Sequence, residues 1–287
     1  MGQLYDVAGG RRVDVRDSEE LAEIALAAAR AVSGPLRSAF RSRPQVRTKR
    51  DFHDPVTEHD RAAEAAIREV LAERSPGSLV IGEEEGARTA GDGPARGRVR
   101  WYVDPIDGTA NFAAGVPFFC VSIAAAIGEE VVAGVVLDPV RGDEFTASLA
   151  GAYCNGVPMR SAGAVRDREA MLLTSYPTPR DLAAEGEEAL TRFGRLVTSF
   201  AALRRPGSAA LKLAHVAAGW ADAAFGLGAS PWDVAAGSLL VTRAGGVYVP
   251  LSGSVFTVGG YLAHVAGFDM AGSALQEVVT ASTRPAR

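Results

Sequence analysis

The chain contains few cysteines and no long apolar run. Two cysteines, Cys120 and Cys154, occur in 287 residues, which excludes a fold held together by a framework of disulfides. The longest apolar runs are interrupted by glycine, proline or charge before they reach the length of a membrane span. The first 17 residues lack the apolar core of a signal peptide. We therefore expect a soluble, cytoplasmic protein with no membrane partner.

The chain also lacks an excess of positive charge. Its 30 basic and 34 acidic side chains give a net charge of −4. Non-specific binding to nucleic acid needs a broad basic surface, so this composition argues against a nucleic-acid polymer as partner. Neither the P-loop pattern GxxxxGK[ST] nor the nucleophile elbow GxSxG occurs. A hydrophobic content of 47% is enough for one large domain or two lobes.

Helix and strand signals alternate along the chain, which indicates an α/β or α+β class. A capping box beginning at Asp17 predicts a first helix that extends to about Ser42 and is interrupted at Gly34. Thr57 and Asp60 form a second capping signal, and the helix that follows has one apolar face.

The middle of the chain is predicted to form strands. Three apolar segments separated by turns predict an antiparallel meander at residues 116–127, 131–138 and 144–149. Residues 86–99, rich in glycine, arginine and aspartate, predict a mobile surface loop. Farther on, residues 181–198 predict one helix. We expect an N-terminal lobe of residues 1–160 and a C-terminal lobe of residues 161–287.

The most informative segment is WYVDPIDGT at residues 101–109. Its apolar start predicts a buried strand, which Pro105 would end. Gly108 would then begin a helix whose free N–H groups favour an anion. Two carboxylates, Asp104 and Asp107, directly follow the apolar residues. Because buried charges are costly unless they are paired, this position indicates a cation beside them.

Further carboxylates occur in separate segments of the chain. Glu83 follows a short apolar strand, and Asp233 lies at a predicted helix start. Asp54 and Asp60 lie on either side of Val56 and Thr57, just before a predicted helix. Each of them alone is more typical of a helix cap, a turn or a solvated loop. Together they form a set of oxygen ligands without cysteine or histidine, which favours Mg²⁺ over Zn²⁺. Two such ions about 4 Å apart can hold the attacking and leaving oxygens of a phosphate ester.

Four blocks in this order resemble the inositol monophosphatase family of magnesium-dependent, lithium-sensitive phosphatases. They are DPVTEHD at residues 54–60, IGEE at 81–84, DPIDGTANF at 104–112 and WDVAAG at 232–237. A single block would be weak evidence, but four in register make coincidence improbable. The resemblance covers most of the chain. It implies a layered αβαβα sandwich, usually a homodimer, acting on a small-molecule phosphate ester through water activated by metal.

The resemblance also implies metal ligands. One Mg²⁺ would be held by Glu83, Asp104 and the carbonyl of Ile106. A second would be held by Asp104, Asp107 and Asp233, and a third, weaker Mg²⁺ would bind near Glu83.

Catalytic and substrate contacts follow from the same resemblance. Thr109 and Asp60 would form a hydrogen-bonded pair that helps to activate water, and Glu83 would act on that water as well. The N–H groups of Gly108 and Thr109 would hold the phosphate. A second-lobe block would contact the substrate through Gly207, Ser208 and Ala209.

The alcohol half of the substrate stays open. Gly226 stands where inositol-specific members of the family carry a glutamate, so we expect a small polyol, cyclitol or sugar phosphate rather than inositol 1-phosphate in particular. The alternatives are 3′-phosphoadenosine 5′-phosphate, histidinol phosphate and fructose 1,6-bisphosphate. Arg204 and Arg205 are typical of a solvated pair, with binding of a second acidic group as the alternative. A non-enzymatic member is disfavoured because every predicted ligand is present.

Overall fold

The computed structural model describes residues 5–7, 11–49, 55–91 and 99–282, so Asp54 lies outside the described residues. The described part contains eight α-helices and seventeen strands. The helices are α1 (Val15–Ala39), α2 (Glu58–Arg74), α3 (Thr109–Ala114), α4 (Pro179–Glu185), α5 (Glu187–Ser199), α6 (Ala209–Ala217), α7 (Pro231–Arg243) and α8 (Ala274–Ser282). The strands are β1 (Tyr5–Val7), β2 (Arg11–Val13), β3 (Arg47–Thr48), β4 (Pro55–Val56), β5 (Leu79–Gly82), β6 (Gly86–Thr89), β7 (Val99–Asp107), β8 (Cys120–Ile127), β9 (Glu130–Asp138), β10 (Asp143–Ser148), β11 (Gly151–Cys154), β12 (Val157–Pro158), β13 (Met171–Thr174), β14 (Ala202–Arg204), β15 (Ala223–Ala229), β16 (Val247–Pro250) and β17 (Gly259–His264).

The first helix differs from its prediction at its start and in its middle. Asp14 is the N-cap, because its Oδ1 accepts the N–H of Asp17 at 2.8 Å. The predicted cap at Asp17 is therefore wrong. The helix also continues through Gly34 and Pro35, so the predicted break is wrong. Buried residues lie on both sides of Pro35, and their packing outweighs the hydrogen bond that proline removes.

An eight-stranded sheet carries the first half of the chain, in the order β12-β11-β10-β9-β8-β7-β5-β6. The strands from β7 to β12 pair antiparallel in sequence, which confirms the predicted meander, and β5 runs parallel to β7. Strand β6 lies in the segment predicted as a loop. It forms a strand there because it pairs antiparallel with β5. Strand β7 does not stop at Pro105. The register between β7 and β8 shifts between Asp104 and Asp107, and this irregularity accommodates the proline within the strand.

The helices and two sheets form five layers, so the predicted αβαβα sandwich is confirmed. Helices α1 and α2 lie on the first sheet, and α6 and α7 lie between it and a five-stranded sheet in the order β14-β13-β15-β17-β16. Helices α4, α5 and α8 form the last layer. The single helix predicted at 181–198 is two helices, because Gly186 has a φ of 61° between them. Among the described residues, no helix has the length and apolar character required to cross a membrane. We keep the lobe boundary near residue 160 as a proposal.

The middle layer requires close approach of backbones. A Cβ on Gly237 of α7 would lie 2.5 Å from Leu213 Cβ of α6. We expect Gly237→Ala to destabilise the protein by about 1–3 kcal/mol, because the clash outweighs the better helix propensity of alanine. Gly194 in α5 is the matched control. A Cβ there meets no atom within 4 Å, and Gly194→Ala should stabilise by about 0.5–1 kcal/mol. Urea unfolding measures both, and effects of the same sign would contradict this account.

Candidate active site

Three carboxylates converge where β7 ends and α7 begins. Asp104, Asp107 and Asp233 each offer one oxygen, and these oxygens all lie within 4.8 Å of one another. Strand β7 delivers the first two, and the register shift between them turns both toward the same place. Asp233 is the third residue of α7, where its Oδ2 accepts the N–H of Ser230 at 2.7 Å in a capping box. We name this group the acidic centre.

Burial and mutual repulsion raise the pKa values of the carboxylates in the acidic centre. The pKa of Asp104 is well above its ordinary value because of burial first and then the charges of Glu83, Asp107 and Asp233. Burial, followed by the charge of Asp107, likewise raises the pKa of Asp233 well above its ordinary value. Carboxylates gathered in this way favour either protonation or a cation. An all-oxygen set of this kind fits a hard divalent ion.

Glu83 lies beside Asp104 and is paired with a lysine. It follows β5, and its N–H donates to the carbonyl of Val103 on β7 at 3.1 Å. Its Oε1 lies 2.9 Å from Lys49 Nζ, and the same ammonium also contacts Glu84. Burial raises the pKa of Glu83, although Lys49 opposes this shift. The three-carboxylate group of the acidic centre does not include Glu83, so its place as a ligand stays a prediction.

Asp107 also ties the acidic centre to the start of α6. Its carboxylate accepts hydrogen bonds from Ser208 Oγ at 2.7 Å, from Ala209 N at 3.2 Å and from Ala210 N at 2.6 Å. The residue before them, Gly207, has a φ of 87°. In the structure these donors point to Asp107, and the predicted contacts of Gly207, Ser208 and Ala209 with substrate stay a prediction.

The predicted pair of Thr109 and Asp60 is in contact. Thr109 Oγ1 lies 2.7 Å from Asp60 Oδ1 and 3.1 Å from the carbonyl of Ile106. Asp60 is fully buried, and its Oδ2 accepts both the N–H and the hydroxyl of Thr57, at 2.8 and 2.7 Å. The same carboxylate therefore caps α2 and orients the Thr109 hydroxyl. Gly108, with a φ of 104°, turns the chain into α3.

Sequence reasoning missed two buried residues beside the acidic centre. Lys212 in α6 is 1% exposed, and its Nζ donates to Ser175 Oγ at 2.7 Å. The same ammonium lies 5.7 Å above the ring of Tyr261, which is also 1% exposed. The chain has two lysines among its 30 basic residues, Lys49 and Lys212, and both lie at this site. A lysine within an apolar helix of an arginine-rich chain was the available signal.

The buried lysine should make stability depend on pH. Burial lowers the pKa of Lys212 from 10.5 to about 8, and Arg205 lowers it further, whereas Asp107 and Asp233 raise it. A lowered folded-state pKa means that the charged lysine destabilises the fold below pH 8 and that this cost disappears as pH rises to 10.5. Lys212→Met should therefore be more stable at pH 7, by up to about 3 kcal/mol.

The advantage of Lys212→Met should shrink by pH 10. Urea unfolding of both proteins in EDTA at the two pH values measures it. The two proteins differ in no other titratable side chain, so the pH dependence of their difference measures Lys212 together with its interactions with Asp107 and Asp233. A difference that stays constant with pH would contradict the assignment.

Residues 17–285 match the model of the inositol monophosphatase family. The chain belongs to this family. Membership makes it a phosphatase, a phosphoric monoester hydrolase, and confirms the resemblance found in the four sequence blocks.

Curated relatives and solved structures agree with this assignment. The chain is 44% identical over 207 residues to Nus factor SuhB of Pseudomonas aeruginosa, covering 72% of this chain and 76% of the relative. It is 37% identical over 240 residues to inositol monophosphatase 2 of Solanum lycopersicum, covering 83% and 90%. The crystal structure of extragenic suppressor protein suhB from Bartonella henselae matches with a TM-score of 0.76 at 28% identity, covering 94% of this chain and 98% of that one. An inositol monophosphatase from Anabaena matches with a TM-score of 0.71 at 29% identity, covering 91% and 94%.

Proposed function

We propose that the chain is a Mg²⁺-dependent phosphomonoesterase that hydrolyses a small polyol, cyclitol or sugar phosphate. The observation that carries this proposal is the convergence of Asp104, Asp107 and Asp233, two buried carboxylates and one half-buried carboxylate from two distant segments, beside the Thr109–Asp60 pair. A buried group of this charge is difficult to explain in a phosphatase unless it binds cations.

The residues present fit Mg²⁺. Asp104, Asp107 and Asp233 would hold one ion, and Glu83, Asp104 and the carbonyl of Ile106 would hold another, with a third, weaker ion near Glu83. When bound, Mg²⁺ would supply Lewis-acid stabilisation of the phosphoryl oxygens and lower the pKa of water.

The protein groups would position the ester and the attacking water. The Thr109 hydroxyl donates to Asp60 Oδ1, which leaves the lone pairs of Thr109 Oγ1 able to accept a hydrogen bond from the attacking water. As the water is deprotonated, its proton would pass to Thr109 Oγ1 while the hydroxyl proton of Thr109 passes to Asp60 Oδ1. Asp60 would therefore be the base, and Glu83 would orient the same water. The N–H groups of Gly108 and Thr109 would bind the phosphate. Gly207, Ser208 and Ala209 would line its alcohol side.

Phosphate release with and without metal tests the proposal. The panel contains glycerol 1-phosphate, inositol 1-phosphate, fructose 1,6-bisphosphate, histidinol phosphate and 3′-phosphoadenosine 5′-phosphate. We expect turnover of at least one ester in Mg²⁺ and none in EDTA. Absence of phosphate release from every ester in Mg²⁺ would favour a non-enzymatic member of the family. We also propose a cytoplasmic homodimer without a nucleic-acid partner, and the name Nus factor describes the relatives that carry it.

A further inference from the structure

Behind the acidic centre lies a second polar cluster that the proposed chemistry does not use. It consists of Lys212 on α6, Tyr261 on β17, Ser175 after β13, and Arg205 before α6. We call it the basic pocket. Asp107 of the acidic centre accepts the N–H of Ala210 at 2.6 Å, and Ala210 is two residues before Lys212 in α6, so the basic pocket lies next to the acidic centre.

The buried groups of the basic pocket have unused hydrogen-bonding capacity. Lys212 has three N–H donors, and Ser175 Oγ accepts one of them. The Tyr261 hydroxyl is buried and has no hydrogen-bond partner within the part of the chain that the structure describes. A buried hydroxyl without a partner and an ammonium with spare donors are both costly to keep. An acceptor that carries negative charge would satisfy both.

The basic pocket is connected to the surface through Ser175. This residue is half-buried, and its carbonyl accepts from Arg205 Nη2 at 3.1 Å. The carbonyl of Pro177 accepts from the same nitrogen at 2.8 Å, so the exposed guanidinium is held beside Ser175, whose hydroxyl accepts from Lys212. Two cations therefore meet at Ser175, Lys212 at its hydroxyl and Arg205 at its carbonyl.

Gly226 gives Tyr261 its position. The two residues pair across β15 and β17. A Cβ on Gly226 would lie 2.8 Å from the Tyr261 ring and 3.1 Å from its hydroxyl oxygen. The glycine therefore leaves space for the ring beside the acidic centre, and the ring in turn supports the Lys212 ammonium.

We infer that Lys212, the Tyr261 hydroxyl and Arg205 bind a second anionic group, a carboxylate or a phosphate, on the alcohol half of the substrate. This inference rests on the proposed phosphomonoesterase activity, because that activity puts an alcohol half beside the acidic centre. The substrate class is then a phosphomonoester that carries a second acidic group, and Lys212 is a residue that determines specificity.

Matched esters test the inference through turnover. Glycerol 1-phosphate and 3-phosphoglycerate differ by one carboxylate in place of a hydroxymethyl group, and fructose 1-phosphate and fructose 1,6-bisphosphate differ by one phosphate. We expect the wild type to prefer the more acidic member of at least one pair by about tenfold or more in kcat/KM. The pair that shows the preference identifies the anion. Equal kcat/KM values within both pairs would overturn the inference and leave the phosphatase proposal intact.

Variants assign the preference to the basic pocket. Lys212→Met should reduce it about tenfold, mainly through KM of the acidic ester, and Tyr261→Phe should reduce it while keeping the ring in place. Arg204→Met is the control for the loss of a nearby positive charge, because the exposed Arg204 guanidinium bonds to the carbonyl of Leu203 and is not part of the basic pocket. A preference that survives both Lys212→Met and Tyr261→Phe, or is lost equally in Arg204→Met, would overturn the assignment.

Direct binding separates the basic pocket from the phosphatase activity. Calorimetric titration of glycerate and of glycerol into the Mg²⁺-loaded protein compares two alcohols that differ by the carboxylate. We expect glycerate to bind at least about tenfold more tightly, and Lys212→Met to remove the difference. Lysine-dependent glycerate binding in a protein that hydrolyses no ester would support the basic pocket and remove the phosphatase proposal. Equal binding of the two alcohols would count against the basic pocket.

Discussion

Asp104→Asn is expected to lower kcat by at least about 10³-fold, because the predicted ligand sets place this carboxylate on both ions. Asparagine keeps the shape of the side chain and the carbonyl oxygen that can accept the N–H of Ile106. It removes one negative charge from a group that is already buried and repelled by its neighbours. The loss should therefore affect metal binding and turnover rather than the fold.

Stability measurements distinguish this cause from misfolding. In EDTA, Asp104→Asn should unfold at the same or a higher urea concentration than the wild type, because a buried charge without a counter-ion has been removed. Mg²⁺ should stabilise the wild type in proportion to its binding and stabilise the variant much less. Asp269→Asn, on an exposed loop, is the matched control and should change neither property. Activity of Asp104→Asn within tenfold of the wild type would rule out the metal assignment.

The acidic centre could be predicted from the sequence because its parts are local signals. Asp104 and Asp107 directly follow an apolar strand, and Asp233 occupies the third position of a helix. Both positions recur in many proteins, and only their combination indicates a metal site. Their convergence within 4.8 Å depends on a register shift between β7 and β8, which sequence periodicity does not contain. For the same reason the predicted stop at Pro105 is wrong.

Elements that depend on distant partners were the ones missed. Strand β17 is a six-residue segment whose hydrogen bonds come from β15 and β16 on either side, so no local pattern marks it. Lys212 lies in an apolar helix where a single charge looks like an exception. Its partners, Ser175 and Tyr261, come from elements 37 and 49 residues away in sequence. Tertiary contacts, rather than propensity, decide both cases.

Thr109→Val should lower kcat by about 10²–10⁴-fold, the range expected when a group that takes part in proton transfer is lost. Valine replaces the hydroxyl with a methyl group of similar size and keeps the branched shape at the start of α3. The proton path from water to Asp60 Oδ1 passes through Thr109 Oγ1 at 2.7 Å, and no other hydroxyl among the described residues contacts that oxygen. Thr109→Ser restores the hydroxyl and is expected to recover most of the activity.

The choice of Thr109 over Asp60 for this test follows from the hydrogen bonds of Asp60. Its Oδ2 accepts the Thr57 N–H and hydroxyl and so completes the capping box of α2. Asp60→Asn would weaken that cap by about 1 kcal/mol and confuse a folding effect with a catalytic one. Thr109→Val leaves both bonds to Thr57 intact. If Thr109→Val retains more than a tenth of wild-type kcat and Thr109→Ser has the same kcat as Thr109→Val, the Thr109 hydroxyl takes no part in catalysis. Glu83 alone must then act on the water.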